Sequence, residues 1–273
     1  TFATSWPVLL KVQSSASCYL VSGARPSDLN VRAPGKGGVY DIVPPYVAGG
    51  IQTNILMGVD NSRNAANFAT LNDATTYSST SKPLTVSVPE GDYASGGDLV
   101  RGVTNRVSVP SANYIRLVAT GDVDKTIVRG ALSANPRDDE NYPGCGPDAV
   151  RCVSFSYSNA SYPRSVSFEG FTFADGRTDC GQDATNDRGA AAFGRYTASQ
   201  RTHLTFTDCV FTNCWAPDAG VGVYARFVRC KFIDCGSAGV GFVDCVLSSC
   251  TFENCDFKGG TFGEKCLTVN CTD

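Results

Sequence analysis

FVDCVLSSCTFENCDFKGGTF runs from Phe242 to Phe262. An aromatic residue or leucine returns at every fifth position: Phe242, Leu247, Phe252, Phe257 and Phe262. Cys245, Cys250 and Cys255 stand two places ahead of the middle three. A helix repeats at about 3.6 residues and a strand at about 2.0. A beat of five fits neither, so the cysteines read as a metal site, a disulfide framework or part of a less common architecture.

Neighbouring segments repeat the pattern. LTFTDCVFTNC (Leu204 to Cys214) aligns with ARFVRCKFIDC (Ala225 to Cys235). Phe206 then meets Phe227, Cys209 meets Cys230, Phe211 meets Phe232 and Cys214 meets Cys235. VGFVDCVLSSC (Val240 to Cys250) matches again, and VSFEGFTFADG (Val166 to Gly176) fits through Phe168 and Phe173, with Phe171 where later copies carry cysteine. Cys209 and Cys230 are 21 residues apart, Cys230 and Cys250 are 20. A period near 20 residues, divided into fives, predicts a β-solenoid. Each coil would lie on the next at about 4.8 Å. The beat places one large and one small residue inside on each side of a coil. The expected core ladder is Phe206, Cys209, Phe211, Cys214, Phe227, Cys230, Phe232, Cys235, Phe242, Cys245, Leu247, Cys250, Phe252, Cys255 and Phe257. Ser237 breaks the large position.

Upstream the beat loosens. Asn105–Val109, Tyr114–Ala119, Lys125–Gly130 and Val150–Ser156 read as short strands between Gly, Pro, Asn and Asp turns. Ser133–Asp148 and Asp175–Gly189 read as long excursions, which in a compact fold are usually functional or mobile. Asn64–Ser78 predicts a short helix with Ala65, Phe68, Leu71 and Thr75 on one face and Ser62 as N-cap. Pro83–Tyr93 alternates as a strand. A helix there would cover the open end of the solenoid core. Residues 1–55 form a separate segment of short strands and loops, and residues 56–273 the solenoid.

These features resemble secreted bacterial right-handed parallel β-helix proteins, with a C-terminal part similar to pentapeptide repeats. NFATLNDA followed by LTVSVPEGDY looks like their opening helix, strand and turn. TNRVSVPSANYIRLVATGDVDKTIVRGA is similar to their next coils. The likeness spans roughly residues 55 to 273. It implies an all-β fold, a right-handed parallel β-helix of about 20–21 residues per coil with a short N-terminal capping helix. It does not imply one activity, since this architecture carries lyases, hydrolases, epimerases, adhesins and passenger domains.

Composition bounds the rest. Charged residues make up 18% of the 273, and the formal charge is −3 with both signs interspersed. That gives no footprint for nucleic acid or for an anionic membrane, and too little acidity for a nucleic-acid mimic. No stretch reaches the roughly 20 apolar residues of a transmembrane helix. TFATSWPVLLKV at the start does not read as a signal peptide. The Thr, Ser, Asn and Gly texture points to a secreted or cell-surface protein.

Structural zinc needs matched C-x2–4-C pairs. Here C-x4-C recurs with the solenoid beat, so the thiols read as small inward residues. Most are expected to be unbridged, because in-register stacking aims the side chains alike rather than at one another. Cys145, Cys152 and Cys180 are off the beat, and one disulfide could lie among them. Cys266 and Cys271 keep the spacing but shift off the register. Asp175, Asp179, Asp183 and Asp187 recur every four residues and offer hard oxygen donors for Ca2+, the one cofactor the sequence suggests. No catalytic residue is assigned. His203, the single histidine, stands just before a strand, and no Ser-His-Asp order, phosphate loop or H-E-x-x-H is present. Tyr residues between Tyr142 and Tyr162 could stack on sugars.

The expected function is a non-catalytic stalk, adhesin or glycan-binding surface whose partner is a glycan or another cell-surface polymer. The alternative is a polysaccharide lyase or glycosidase. Because CLTVNCTD ends inside the beat, the chain is expected to continue beyond Asp273, or to stack there on a partner.

Overall fold

A computed structural model describes residues 56–60, 65–68, 70–77, 84–100, 102–109, 114–137, 143–155, 165–179, 188–194, 204–259, 263–264 and 266–272. Residues 1–55, Cys180, Asp183, Asp187, His203 and Phe262 lie outside them. The described part is all-β with one short helix and one 3-10 turn, Val123–Lys125.

The chain runs a circuit. Leu84–Val88 lies in a first sheet, Gly91–Tyr93 in a second and Val103–Val109 in a third. Tyr114–Ala119, Thr126–Arg129 and Val150–Phe155 then return to the same sheets and pair in parallel on their predecessors. Ser165–Glu169, Thr172–Ala174 and Ala192–Gly194 add a third layer. Three further circuits begin at Leu204–Thr207, Ala225–Val228 and Val246–Ser248. Each of these adds a two-residue strand of a fourth, three-stranded sheet: Trp215–Ala216, Gly236–Ser237 and Asp256–Phe257. Stacked parallel strands of this kind are compatible with a β-solenoid.

Register turns the five-residue beat into columns. Leu117, Phe168, Phe206, Phe227 and Leu247 lie one above another in the first sheet. Val128, Phe173, Phe211, Phe232 and Phe252 do the same in the second. Within a column the rings stack, as Phe211 does on Phe173 at 5.1 Å and on Phe232 at 4.9 Å between centroids. Across columns they meet edge to face, Phe206 on Phe211 at 5.3 Å. Both geometries suit the ring quadrupole. Each buried ring stabilises by about 1.5–3 kcal/mol relative to exposure. Phe252, Cys255 and Phe257 are only half-buried.

The corners explain the cysteines. Asp208, Asn213, Arg229, Asp234, Asp244, Ser249, Asn254 and Asn270 have φ between 49° and 55°. Each is followed directly by a cysteine. A left-handed residue turns the chain, and Asp and Asn tolerate that conformation best among residues with a Cβ. The next side chain then points into the corner. Cys230 donates its S–H to the carbonyl of Val228 or to that of Phe206 in the coil beneath, both at 3.5 Å. Cys209, Cys214, Cys235, Cys250 and Cys255 repeat the arrangement. The thiol therefore packs and also satisfies carbonyls that a sharp turn would leave exposed to an apolar interior.

Two expectations need correction. The helix spans only Leu71–Tyr77, and Ala65–Phe68 is instead a strand antiparallel to Leu56–Asp60. Its cap is Thr70 rather than Ser62: Thr70 Oγ1 accepts from the Asp73 N–H, and Asp73 Oδ2 accepts from the Thr70 N–H. This reciprocal box starts a helix at 71 and releases the preceding residues to pair. Cys266 and Cys271 are also in register. Leu267 pairs with Val246, which sets Cys266 on Cys245, and the Thr272 N–H bonds to Cys250 O, which sets Cys271 on Cys250. The extra residue of this 21-residue interval is taken up before Cys266.

The helix has a specific task. Asn72 Nδ2 donates to Arg106 O, its Oδ1 accepts from the Ser108 N–H, and Thr75 Oγ1 donates to Ser108 O. These side chains pair with Arg106 and Ser108 as a strand would, protecting the part of the Val103–Val109 edge that the antiparallel strand Asp98–Val100 leaves open.

Candidate functional site

Coils stacked in register align their corners into files of side chains. One file runs Asp175, Asn213, Asp234 and Asn254, each left-handed and each bonded through its backbone N–H to the next coil as far as Asp234. Asn213 Nδ2 donates to Asp175 Oδ1 at 2.7 Å. A second file runs Gly170, Asp208, Arg229, Ser249 and Asn270. There Arg229 donates to both oxygens of Asp208 at 2.7 Å. Burial opposes the effect only in part, and the Arg229 hydrogen bond holds the Asp208 carboxyl below its ordinary range.

At its lower end the first file meets a charge network. Arg129 donates from Nε to both Asp92 oxygens, at 3.1 and 2.9 Å, and from Nη1 to Asp175 Oδ2. Arg177 donates to the carbonyls of Pro143, Gly176 and Asn213 and to Asn213 Oδ1. Asp179 stands 3.7 Å from Arg137. The excursion after Ala131 meets this corner through the Gly146 N–H on Thr178 O and Arg177 on Pro143 O, and is held internally by Ser133, which donates to Asp148 and whose N–H bonds to Gly144 O. That hydrogen bond also lowers the Asp148 carboxyl.

Of the four carboxylates considered for Ca2+, Asp175 and Asp179 are therefore each engaged by an arginine, while Asp183 and Asp187 lie outside the described residues. Among the described residues no group of three or more His, Cys, Asp or Glu side chains is arranged to hold a metal ion.

Inside the same corner lies a thiol stack. Gly176 occupies the place that Cys214 and Cys235 take in the coils above, since Arg177 bridges to Trp215 and the Trp215 N–H bonds to Gly176 O. Cys152 fills the gap: a Cβ on Gly176 would come within 3.0 Å of its Sγ. Cys152 donates to Ala174 O at 3.4 Å and shares a hydrogen bond with Cys214. Burial pushes the Cys152 thiol up. For Cys214 burial acts the same way, but hydrogen bonds from Cys152, Cys235 and the Gly176 backbone, with the Arg177 charge, outweigh it and bring the thiol down.

Three buried arginines surround this corner and belong to no sequence motif. Arg106, Arg151 and Arg177 are 9%, 2% and 4% exposed. Arg151 donates to Asn105 Oδ1 at 2.9 Å and to Arg188 O at 2.8 Å, and its guanidinium lies 4.6 Å from the Phe193 ring centroid. Its Nε has no partner. Burial lowers its pKa to about 9. In the sequence Arg106 and Arg151 stand inside strand runs, TNRVSV and AVRCVSF, whereas Arg177 in ADGRTDC carries no such sign.

No family model matches the chain, and no curated protein does. Among solved structures, a protein from Parabacteroides merdae described as a "putative glycosyl hydrolase" matches at 10% identity. The match covers 68% of this chain and 79% of that one with a TM-score of 0.17, too weak to carry an argument.

Proposed function

We propose that the chain is a right-handed parallel β-helix, secreted or displayed on a bacterial surface, that holds an extended glycan along its corner without cleaving it. The observation that carries this reading is the file Asp175, Asn213, Asp234 and Asn254. It places one carboxylate or amide per coil at the roughly 4.8 Å strand spacing; Asp175 and Asn213 are held by Arg129, Arg177 and each other, and Asp234 and Asn254 continue the file as exposed side chains. Such groups accept from and donate to sugar hydroxyls, and a periodic edge suits a periodic polymer.

A glycan array followed by calorimetry tests this. Binding of one polymer class by the wild type, lost in the Asn213→Ala/Asp234→Ala double variant, is the expected result. Retention of full affinity by that variant overturns the assignment.

The hydrolase or lyase reading keeps one foothold, since Asp92 and Asp175 flank a single guanidinium. Polyuronates incubated with the protein, with and without Ca2+, separate the readings. Release of an unsaturated product would replace binding with eliminative cleavage. Calorimetry on metal-stripped protein tests the Asp175, Asp179, Asp183 and Asp187 loop for Ca2+ in the same series.

A further inference from the structure

We infer that the thiol pair Cys152 and Cys214, beside three buried arginines, is a site for one soft monovalent d10 cation, Cu(I) or Ag(I), held by two sulfurs. The first ground is charge. Among the described residues Arg106, Arg151 and Arg177 make no ion pair, and their hydrogen bonds go to neutral acceptors. The carboxylates of the neighbourhood, Asp92 and Asp175, are paired with Arg129. Asp92 reaches Arg106 only through space. Buried cations without a counter-charge are costly. Three around one stack mark a place where negative charge is missing from the side chains at rest.

The second ground is the donor set. Cys152 and Cys214 are unbridged and fully buried, and Cys152 Sγ fills the position of Gly176, which is in register directly below Cys214. Thiolates select soft cations, whereas Ca2+ and Mg2+ take oxygen. A column of thiols brings two sulfurs, not four, to any point between coils, which disfavours tetrahedral zinc. On binding, each S–H bond breaks and its proton passes to solvent. Two S–metal bonds form, and the product carries one net negative charge beside the guanidinium groups. No electron is transferred. The other long stack, Cys209, Cys230 and Cys250, lacks this environment, because Arg229 beside it is already paired with Asp208.

The test is anaerobic Cu(I) titration of reduced, chelator-treated protein against a competing chelator, with X-ray absorption of the loaded sample. One tightly held equivalent in two-sulfur coordination is expected. Cys214→Ser should weaken it at least about a hundredfold and Arg151→Met about tenfold, on the scale of ligand and outer-shell losses. Cys230→Ser, the matching change in the other stack, should leave it unchanged. Failure of the wild type to compete, coordination by three or more sulfurs, or equal loss in Cys230→Ser would each overturn the proposal. The wild-type spectrum and stoichiometry decide the matter even where a variant does not fold.

Discussion

Residues 204–259 and residues 84–194 follow the same circuit of sheets but solve it differently. The later coils repeat themselves. Each uses Asp, Asn, Arg or Ser followed by Cys at its corners and Phe or Leu in the first two columns, and its outer charges form exposed ion pairs such as Lys231 with Glu253. The earlier coils are interrupted by excursions and lack the αL–Cys corner. They bury Arg106, Arg151 and Arg177 where the later ones bury apolar groups. Repetition gives stability from many equal contacts, whereas irregularity concentrates polar groups that need individual partners. The candidate site falls where the two regimes meet, at Asp175, Arg177 and Asn213.

The largest expected effect probes the regular half. Phe211 is fully buried and contacts rings above, below and beside it. Phe211→Ala should cost about 3–5 kcal/mol in chemical denaturation, and the half-buried Phe252→Ala distinctly less. Equal costs would break the account of a column that is tightest in its middle.

Arg151→Met probes the irregular half. Exchanging a buried unpaired cation for an apolar side chain should raise stability at pH 7 by about 1–3 kcal/mol. The folded pKa near 9 lies below the unfolded value, so between them the unfolded chain holds more protons and wild-type stability gains with rising pH. The advantage of the variant should therefore shrink above pH 9. A constant difference from pH 7 to 11 would show that Arg151 does not titrate as described. Asn72→Ala removes both hydrogen bonds to the strand edge and should cost about 1–2 kcal/mol, with faster amide exchange at Ser108.

The smallest effect concerns one corner. Arg229 is left-handed where its counterparts are mostly Asp or Asn. Arg229→Asn should relieve strain of about 1 kcal/mol and lose an exposed ion pair worth less than about 1 kcal/mol. A net gain of a few tenths in thermal melting is expected. A loss larger than 1 kcal/mol would mean that the Arg229–Asp208 pair contributes more than its exposure suggests.

These contrasts also explain what the sequence made legible. The Phe and Cys columns were readable because every coil repeats the same steric problem. The corner conformation was written in the DC and NC pairs, although the turn residue, and not the thiol, is what sets it. The helix start was misplaced because Ala65 and Phe68 fit a helical face as well as a strand. Pairing with Leu56–Asp60 decided between them, and that partner lies outside any local window. The charge network was not legible at all. Asp92, Arg129, Asp175 and Asn213 are far apart in sequence and are joined only by stacking. Asp175 and Asp179 of the Asp loop are likewise drawn to arginines, Arg129 and Arg137, that no local window contains.

The central claim is that the cysteines are corner residues and not cross-links. Thiol titration of denatured, chelator-treated protein without reductant tests it most directly. Cys152, Cys209, Cys214, Cys230, Cys235, Cys245, Cys250, Cys255 and Cys271 are unbridged, so at least these should react. Fewer than nine reactive thiols would contradict the account, since stacked, parallel side chains would then have been bridged despite their geometry.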